Sequence, residues 1–276
     1  MTDQNRYPVM LNQETLHGPL GEAFRLLYAN LGFNSTEPPP KTIAVISALS
    51  KDGRTTTAVN LGIVIAEAGH RAVVVEADFR RPAIGNFMAW EPWRPDGQGP
   101  VHGLSSIVTG AATVEEALRP APFERLSVLP AGPIPPNLSE VIGSQRMKDV
   151  LAELAELFDY VVLDTPPCLL YADALLISSI VDGVVYVVRA GPQDRAAQQR
   201  AQQQLQHARA RVLGAVFNDV AAVEIARYGG QHANRQTPSA QIVPAGGKLH
   251  PRGSSVERTE QSRWDRLIAL YRPKAG

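Results

Sequence analysis

Short apolar runs alternate along the chain with longer amphipathic stretches, and this alternation predicts the order of strands and helices. The runs are rich in valine and apolar at nearly every position, as is typical of strands that helices cover on both faces. The predicted strands are 42–48, 71–77, 126–129, 160–163, 183–188 and 211–217, and the predicted helices between them are 55–68, 145–158, 172–180 and 194–208. The pattern indicates an α/β fold with a doubly wound, mostly parallel sheet in three α/β/α layers and a ligand site at the carboxyl ends of the strands.

A further helix is predicted before the first strand. Apolar residues at helical spacing form a stripe in the stretch 20–33, and the proline-rich sequence NSTEPPP at 34–40 ends it. The stripe consists of Leu20, Phe24, Leu27 and Leu31. Residues 1–40 are therefore predicted to form a helical lead segment that contacts a partner or another subunit, and residues 41–220 the α/β body.

The remaining residues, 221–276, are predicted to form a largely disordered tail. From 227 to 255 the tail is rich in Gly, Gln, Pro and Ser without any periodicity. Beyond this stretch, apolar residues share one helical face and predict a short amphipathic helix, which docks on the body, on a partner or on a membrane surface. These residues are Trp264, Leu267, Ile268 and Tyr271.

Composition excludes several classes of protein. Lys+Arg and Asp+Glu are equal at 27 each, so no global field attracts nucleic acid or an anionic membrane. The single cysteine, Cys168, excludes a disulfide within the chain and fits a reducing compartment. No apolar run approaches the roughly 20 residues that cross a bilayer. We therefore expect a soluble cytoplasmic protein.

The stretch SALSKDGRTTTAVNLG, Ser47–Gly62, follows the first predicted strand and has the form of a phosphate-binding loop with an altered cation. Such a loop is written G-x-x-x-x-G-K-[ST], and this chain has arginine where the lysine belongs. The helix that follows still presents backbone amides to an anion. The candidate nucleotide-binding residues of this stretch are Ser50, Lys51, Asp52, Gly53, Arg54, Thr55 and Thr56.

Acidic residues follow two other predicted strands. VVVEADFRRP places Glu76, Asp78 and Arg80 where the second strand ends, with alternate side chains on the same side. Asp164 ends the apolar run 160–163, in the form of a Walker B motif that holds Mg²⁺ directly or through water. A phosphate loop, an acidic strand end and an apolar strand ending in Asp, in that order, together predict a nucleotide-binding fold.

At this point the chain resembles a known family, the bacterial tyrosine kinases of capsule and exopolysaccharide synthesis, relatives of the deviant-Walker ATPases of the ParA/MinD type. GEAFRLLYANLGF is similar to the family's EAYRTLRTNI segment, and VVVEADFRRP to its D-x-D-x-R-x-P motif. LSVLPAGPIPPNLSEVIGSQRM resembles its LPAGPIPPNPSELLGS stretch, which ParA/MinD-type ATPases lack. DTPPCLLYADALLISSIVDGVVYVVRAG resembles its DTPP-to-VVRAG block. The resemblance runs from about Leu20 to Val220.

The resemblance implies ATP and Mg²⁺ as cofactors and tyrosine phosphorylation as the activity. It implies that Thr55, Asp78 and Asp164 hold the metal. The implied catalytic residues are Glu76, Asp78, Asp164 and Arg54. Asn218, after the last strand, is expected against adenine, and Arg189 ends the preceding strand; strand-end capping is the alternative for both. Asp173 is either an outer metal neighbour or a helix cap.

The resemblance also implies partners. Because it has no predicted spanning helix, the chain is similar to the split version of the family. In that version a separate transmembrane adaptor of the polysaccharide co-polymerase type activates the kinase at the inner face of the membrane. The family's E-x-x-R-x-x-R oligomer motif corresponds to Glu22, Arg25 and Tyr28, so its second arginine is missing. A homo-oligomer through the Glu22/Arg25 helix is the corresponding expectation, and an exposed i,i+3 pair is the alternative.

Departures from the family pattern bear on activity. Arg54 keeps the charge of the usual lysine but spreads it over a planar fork. Lys51 stands in place of a glycine, and its Cβ disfavours a positive φ. Glu76 replaces an aspartate, and its extra methylene displaces the carboxylate by about 1 Å, enough to cost on the order of a hundredfold in rate. After the last predicted strand only Tyr228 and Tyr271 remain as phosphate acceptors, of which Tyr228 is the candidate.

Three hypotheses of function follow from the sequence. The first is an ATP-dependent tyrosine kinase of polysaccharide synthesis and export. The second is a pseudokinase, a scaffold that regulates the same machinery with impaired catalysis. The third is a ParA/MinD-like partitioning ATPase, which the PAGPIPPN stretch and the neutral net charge disfavour.

Overall fold

One mostly parallel sheet of eight strands organises the described part of the chain, which in this computed structural model covers residues 10–33, 39–88, 102–190, 195–220 and 267–271. The strands are β1 (Thr42–Ile46), β2 (Ala72–Glu76), β3 (Arg119–Pro120), β4 (Leu126–Leu129), β5 (Tyr160–Asp164), β6 (Gly183–Arg189), β7 (Val212–Val220) and β8 (Leu267–Tyr271). They lie in the order β3-β4-β2-β5-β1-β6-β7-β8. The two-residue β3 pairs with β4 in antiparallel orientation, and the other pairs are parallel.

Helices cover both faces of this sheet. They are α1 (Gln13–Leu16), α2 (Pro19–Phe33), α3 (Arg54–Glu67), α4 (Ile84–Phe87), α5 (Leu104–Val108), α6 (Val114–Ala117), α7 (Leu138–Ile142), α8 (Gln145–Leu157), α9 (Asp173–Ser178) and α10 (Arg195–His207). One apolar core takes residues from α1 to α4, and the other takes residues from α5 to α10. The predicted three-layer α/β/α fold is confirmed, and the sequence analysis missed five of the short helices, namely α1, α4, α5, α6 and α7.

Burial on both faces explains why the strands are apolar at nearly every position. In β1, Ile43 and Val45 pack into the core beneath α3, whereas Ala44 and Ile46 pack into the core of the opposite layer. Successive side chains of a strand point to opposite faces, so a strand between two helical layers has no polar face. Each residue of β1 and β2 is buried, as this account requires.

The lead helix α2 is part of the folded body. Pro19 occupies its first turn, where a missing N–H is tolerated. Phe24 and Leu27 are each 1% exposed and lie in the core shared with α3. The predicted apolar stripe therefore faces the body, and it docks the segment onto α3.

Polar and aromatic contacts also tie α2 to the body. Arg25 donates from Nη2 to Oε1 of Glu67 at 2.9 Å and from Nη1 to Glu22 at 3.3 Å. Tyr28 meets His70 and Tyr160 edge to face, at centroid distances of 6.0 and 5.8 Å. The arginine of the oligomer motif is thus paired with α3 of the same chain, and a homo-oligomer through this helix stays a prediction.

The carboxyl-terminal apolar residues lie in a strand, so the predicted amphipathic helix at 264–271 is wrong for Leu267–Tyr271. This segment forms β8, which pairs in parallel with β7 through Ala215↔Leu267 and Phe217↔Ala269. A short apolar run does not distinguish helix from strand by periodicity, and the free edge of β7 offers unpaired backbone groups. Residues 221–266, including Tyr228, lie outside the described residues.

No helix in the ranges that the structure describes is both long enough and apolar enough to cross a bilayer.

Replacing Phe24 with alanine tests the docking of the lead helix. Phe24→Ala removes a fully buried aromatic ring, and we expect it to lower the free energy of unfolding by about 3–5 kcal/mol. Urea unfolding followed by circular dichroism measures this loss. Gln13→Ala, at an exposed position of α1, is the control and should change stability by less than about 0.5 kcal/mol. Equal stability of the two variants would show that α2 is not docked.

Candidate nucleotide-binding site

The strand order brings the predicted site residues to one edge of the sheet. β5 lies between β2 and β1, and Asp164 at its carboxyl end is in register with Glu76 of β2 and Val45 of β1. The loop from Ser47 to Gly53 leaves β1 at the same edge. Ligands of doubly wound sheets bind at this edge, and the acids and the loop therefore converge where a ligand is expected.

Gly53 is required at the end of the loop for two reasons. It caps α3 in a left-handed conformation with φ 101°. A Cβ at this position would also lie 1.8 Å from Nδ2 of Asn218. That amide donates to the carbonyl oxygen of Asp52 at 3.0 Å, so Asn218 is placed against the loop backbone. Its contact with adenine stays a prediction.

The middle of the loop is closed by Asp52 and carries a strained residue. One oxygen of the Asp52 carboxylate accepts from the backbone N–H of Leu49 at 3.0 Å. Burial raises the pKa of this carboxyl, against the opposing effect of that hydrogen bond. Lys51 adopts φ 66°, the left-handed conformation that its Cβ disfavours. The sequence indicates only that a lysine disfavours this conformation, and the structure shows that the loop keeps the glycine-like φ nonetheless.

Arg54 is buried, with 8% of its surface exposed, and its guanidinium bonds to the loop. Nη1 donates to the hydroxyl oxygen of Ser47 and, at 2.6 Å, to the carbonyl oxygen of Leu49. Nε donates to the carbonyl oxygen of Thr165 at 2.8 Å. The residue predicted to reach the phosphates therefore connects the loop to the strand end that carries Asp164.

Asp164 has the properties of a metal ligand. It is 2% exposed, and its Oδ1 has no hydrogen-bond partner among the residues described. Burial raises the pKa of Asp164 to about 7, and the nearby Thr55 hydroxyl and the Arg54 charge lower it only in part. A threonine hydroxyl beside an orphaned, buried carboxylate oxygen is a donor set that suits Mg²⁺.

Asp78 lies nearby but is partly used by its own turn. Its Oδ1 accepts from the backbone N–H groups of Arg80 and Arg81 at 3.2 and 3.0 Å. In the described part of the chain, no three His, Cys, Asp or Glu side chains are close enough to hold a metal by themselves. Mg²⁺ usually keeps several waters and takes further oxygens from substrate phosphates, so a site with few protein ligands is compatible with it.

The Glu76 carboxylate accepts hydrogen bonds from backbone N–H groups of the same chain. One oxygen of its carboxylate accepts from the N–H groups of Ala83 and Ile84, and the other accepts from Ala131 at 3.3 Å. Burial raises the pKa of the Glu76 carboxyl, and the three hydrogen bonds oppose that effect. The carboxylate thus joins the start of α4 to the loop that follows β4, and its predicted catalytic role stays a prediction.

Arg80 and Asp173 form a second polar group beside the site. Nε of Arg80 donates to Asp173 at 2.9 Å, and its guanidinium carbon lies 4.3 Å from the centre of the Tyr171 ring. The other oxygen of Asp173 accepts from the Ser139 hydroxyl at 3.1 Å. Asp173 is 1% exposed at the start of α9, where it links three segments of the chain.

Arg189 is paired at the end of β6. Its Nη2 donates to the Asp219 carboxylate at 2.9 Å, and both side chains are about one-third exposed. The predicted contact of Arg189 with nucleotide stays a prediction. Cys168 is a packed residue, 3% exposed, whose thiol pKa is raised to about 11 by burial, so it lacks the activation that a nucleophile needs.

Sequence reasoning located the loop and the strand-end acids but missed their internal partners. Thr165 was not singled out, although its carbonyl oxygen receives Arg54 and its hydroxyl donates to the carbonyl of Val45 at 2.8 Å. The backbone amides that hold Glu76 were missed as well. Backbone partners leave no signal in residue types, because every non-proline residue carries an N–H donor and a carbonyl acceptor.

Comparisons with known proteins agree with this geometry. The model of a family described as an AAA domain matches residues 40–199. The tyrosine-protein kinase YwqD of Bacillus subtilis is 31% identical over 208 residues, which cover 75% of this chain and 84% of that protein. The kinase domain of the Escherichia coli tyrosine kinase ETK superposes with a TM-score of 0.67 at 25% identity, covering 80% of this chain and 84% of that chain.

A more distant likeness concerns the fold alone. The septum site-determining protein MinD of Pyrococcus horikoshii, complexed with Mg-ADP, superposes with a TM-score of 0.54 at 20% identity. The superposition covers 66% of this chain and 71% of that one. The doubly wound sheet is thus shared beyond the tyrosine kinases.

Shortening Glu76 tests its structural role. In Glu76→Asp the carboxylate cannot reach the amides of Ala83, Ile84 and Ala131 together, and each buried amide left unpaired costs about 1–3 kcal/mol. We expect a loss of that order in the free energy of unfolding, measured in urea. Glu76→Gln keeps the length and an acceptor oxygen and should lose less. An Asp variant as stable as the original chain would contradict this account.

The raised pKa of Asp164 predicts a pH-dependent effect of Asp164→Asn. Between its ordinary pKa of 3.8 and its folded value of about 7, the folded chain holds a proton that the unfolded chain releases. The contribution of Asp164 to stability therefore falls as the pH rises through that window, whereas asparagine does not titrate. Without nucleotide and metal, the stability of the variant relative to the original chain should rise by about 2–3 kcal/mol from pH 5 to pH 8.

Urea unfolding at the two pH values measures this difference. Asp149→Asn, at an exposed position of α8, is the matched control and should show a change below about 0.5 kcal/mol. A flat or opposite trend for Asp164→Asn would show that the carboxylate is already ionised at pH 5.

Proposed function

The chain belongs to the bacterial tyrosine kinases of capsule and exopolysaccharide synthesis, and from this premise we propose that it is an ATP-dependent tyrosine kinase of the polysaccharide machinery. The observation that carries the proposal is the orphaned oxygen of Asp164 beside the Thr55 hydroxyl, at the foot of a phosphate loop. An unpaired, fully buried carboxylate oxygen is costly, and a bound cation would compensate it.

In the proposed complex, Thr55 and Asp164 hold Mg²⁺, with Asp78 as a further acid at the same edge. The amides of the loop and of the first turn of α3 bind the phosphates of ATP. The metal supplies charge neutralisation on the phosphate oxygens, which is the main demand of phosphoryl transfer. The reaction would break the bond between the γ-phosphorus and the bridging oxygen of ATP and form a bond from that phosphorus to the hydroxyl oxygen of a tyrosine. The hydroxyl proton would pass to a carboxylate of the site, and ADP would be the leaving group.

In this proposal Asp78 is the carboxylate that assists the tyrosine hydroxyl as a base. Glu76 is less suited, since three backbone N–H groups already occupy its carboxylate. The Asp78 carboxylate accepts hydrogen bonds from its own turn at one oxygen, Oδ1. Tyr228 is the proposed acceptor in this chain, and it lies outside the described residues.

A transmembrane adaptor of the polysaccharide co-polymerase type is the proposed partner, and it would hold the protein at the inner face of the cell membrane. Support comes from the family membership and from the stretch PAGPIPPN, Pro130–Asn137, which the resemblance assigns to the polysaccharide branch. No nucleic acid is proposed as a partner, because the formal net charge is zero.

A second function, a nucleotide-holding pseudokinase, is favoured by one observation. Arg54 donates from Nε and Nη1 to Ser47, Leu49 and Thr165, so these donors are not aimed at the charge that develops on a transferring phosphate. Such a protein would bind ATP in the same site and regulate polymer synthesis or export without catalysing phosphorylation.

Calorimetry with MgATP and MgADP on the full chain tests the proposal, together with assays of phosphate release and phosphotyrosine. We expect binding by the original chain, and at least about tenfold weaker binding by Asp164→Asn, whose neutral amide is a poor Mg²⁺ ligand. Arg54→Lys is the matched variant for turnover, because it restores the usual phosphate-loop cation.

The outcomes separate the two functions. Binding with phosphotyrosine formation supports the kinase. Binding without turnover in the original chain, with turnover in Arg54→Lys, supports the pseudokinase. A chain that binds neither nucleotide would overturn both.

A further inference from the structure

Arg54 is held as a brace of the phosphate loop. Three acceptors surround its buried guanidinium, namely the Ser47 hydroxyl, the Leu49 carbonyl and the Thr165 carbonyl. Bonds of a buried charged group are costly to break, because the charge then loses partners that water does not replace. To approach a phosphate with all of its donors, Arg54 would have to give up three bonds at once.

Lys51 is the other cation of the loop, and its situation is the reverse. Its side chain is exposed, and it makes no hydrogen bond or ion pair to any residue that the structure describes. Its ammonium stands at the end of a flexible four-carbon stem. It lies two residues before the left-handed Gly53 that caps α3, in the loop that leads into that helix.

The backbone of Lys51 is strained, and its side chain makes no hydrogen bond or ion pair to the described residues that would offset the strain. Its φ of 66° is a conformation that glycine adopts freely and that is unfavourable for a residue with a Cβ. Strain of this kind clusters at sites where it serves function. A glycine at this position would relieve the strain, and the group that a lysine supplies in its place is the ammonium.

From these observations we propose that Lys51 contacts the terminal phosphates of the bound nucleotide while Arg54 stabilises the loop. The two cations of the loop have thus exchanged roles, since the residue at position 54 is the one that usually contacts the phosphates. The inference rests on the proposed function, since it assigns a ligand contact at the same site. That a ligand binds there is supported independently by the unpartnered oxygen of the buried Asp164, next to Thr55 in the first turn of α3. The phosphates would lie between the Lys51 ammonium and the metal.

A double-mutant cycle on MgATP affinity tests this exchange. The four proteins are the original chain, Lys51→Gly, Arg54→Lys, and the variant with both changes. Glycine is the chosen substitution because it relieves the positive φ, so a loss of binding does not come from a misfolded loop. The thermal midpoint of Lys51→Gly should be equal to or higher than that of the original chain.

We expect Lys51→Gly to weaken MgATP binding roughly 10- to 100-fold when residue 54 is arginine, the size of a lost charge-assisted hydrogen bond. In the Arg54→Lys background the same change should cost less than about threefold, because the new lysine reaches the phosphates itself. This failure of additivity is expected when the residues at positions 51 and 54 contact the same phosphates. Lys148→Ala, at an exposed position of α8, controls for net charge and should leave affinity unchanged.

Other results would overturn the exchange. Equal losses in both backgrounds would mean that Lys51→Gly acts by loosening the loop, and no loss in either would mean that Lys51 does not touch the nucleotide. If the original chain binds MgATP in these experiments and the cycle is additive, the exchange fails while the proposed function stands. If the original chain binds no nucleotide, the proposed function fails first and the exchange fails with it.

Discussion

Charged groups buried at the carboxyl edge of the sheet must find partners, and this requirement shapes the whole site. Arg54 obtains its partners from two carbonyls and a hydroxyl, Glu76 from three backbone amides, and Asp173 from Arg80 and Ser139. Asp164 differs, because one of its oxygens has none among the described residues. Among these four buried side chains, Asp164 is thus the one that keeps an oxygen for a cation.

The same bonds connect segments that are distant in sequence. Arg54 links the phosphate loop to the residue after β5, and Glu76 links β2 to the start of α4 and to the loop after β4. Asn218 connects the end of β7 to the phosphate loop. Such ties position the loop before any ligand arrives, which reduces the ordering that binding would otherwise require. They also restrict the motion of the loop residues that they hold.

Departures from a familiar motif therefore mean different things at different positions. Arginine in place of lysine looks like a small change, yet its planar fork suits it to bracing several carbonyls. Lysine in place of glycine looks disruptive, yet the loop retains the left-handed conformation. Glutamate in place of aspartate has the length to reach the amides of Ala83 and Ile84. Residue identity alone states the charge available but not the group that receives it.

The sequence by itself determined the order of the long helices and of six strands, the three layers, the apolar stripe of α2 and the position of the loop and of Asp164. These depend on apolar periodicity and on short motifs, which are local properties of the chain. Only the tertiary structure decided where Arg54 and Glu76 point, that Asn218 rests on the loop, and that Leu267–Tyr271 forms a strand. The reason is that these features depend on backbone donors and acceptors of remote segments and on the free edge of β7, and such groups are the same in nearly every residue.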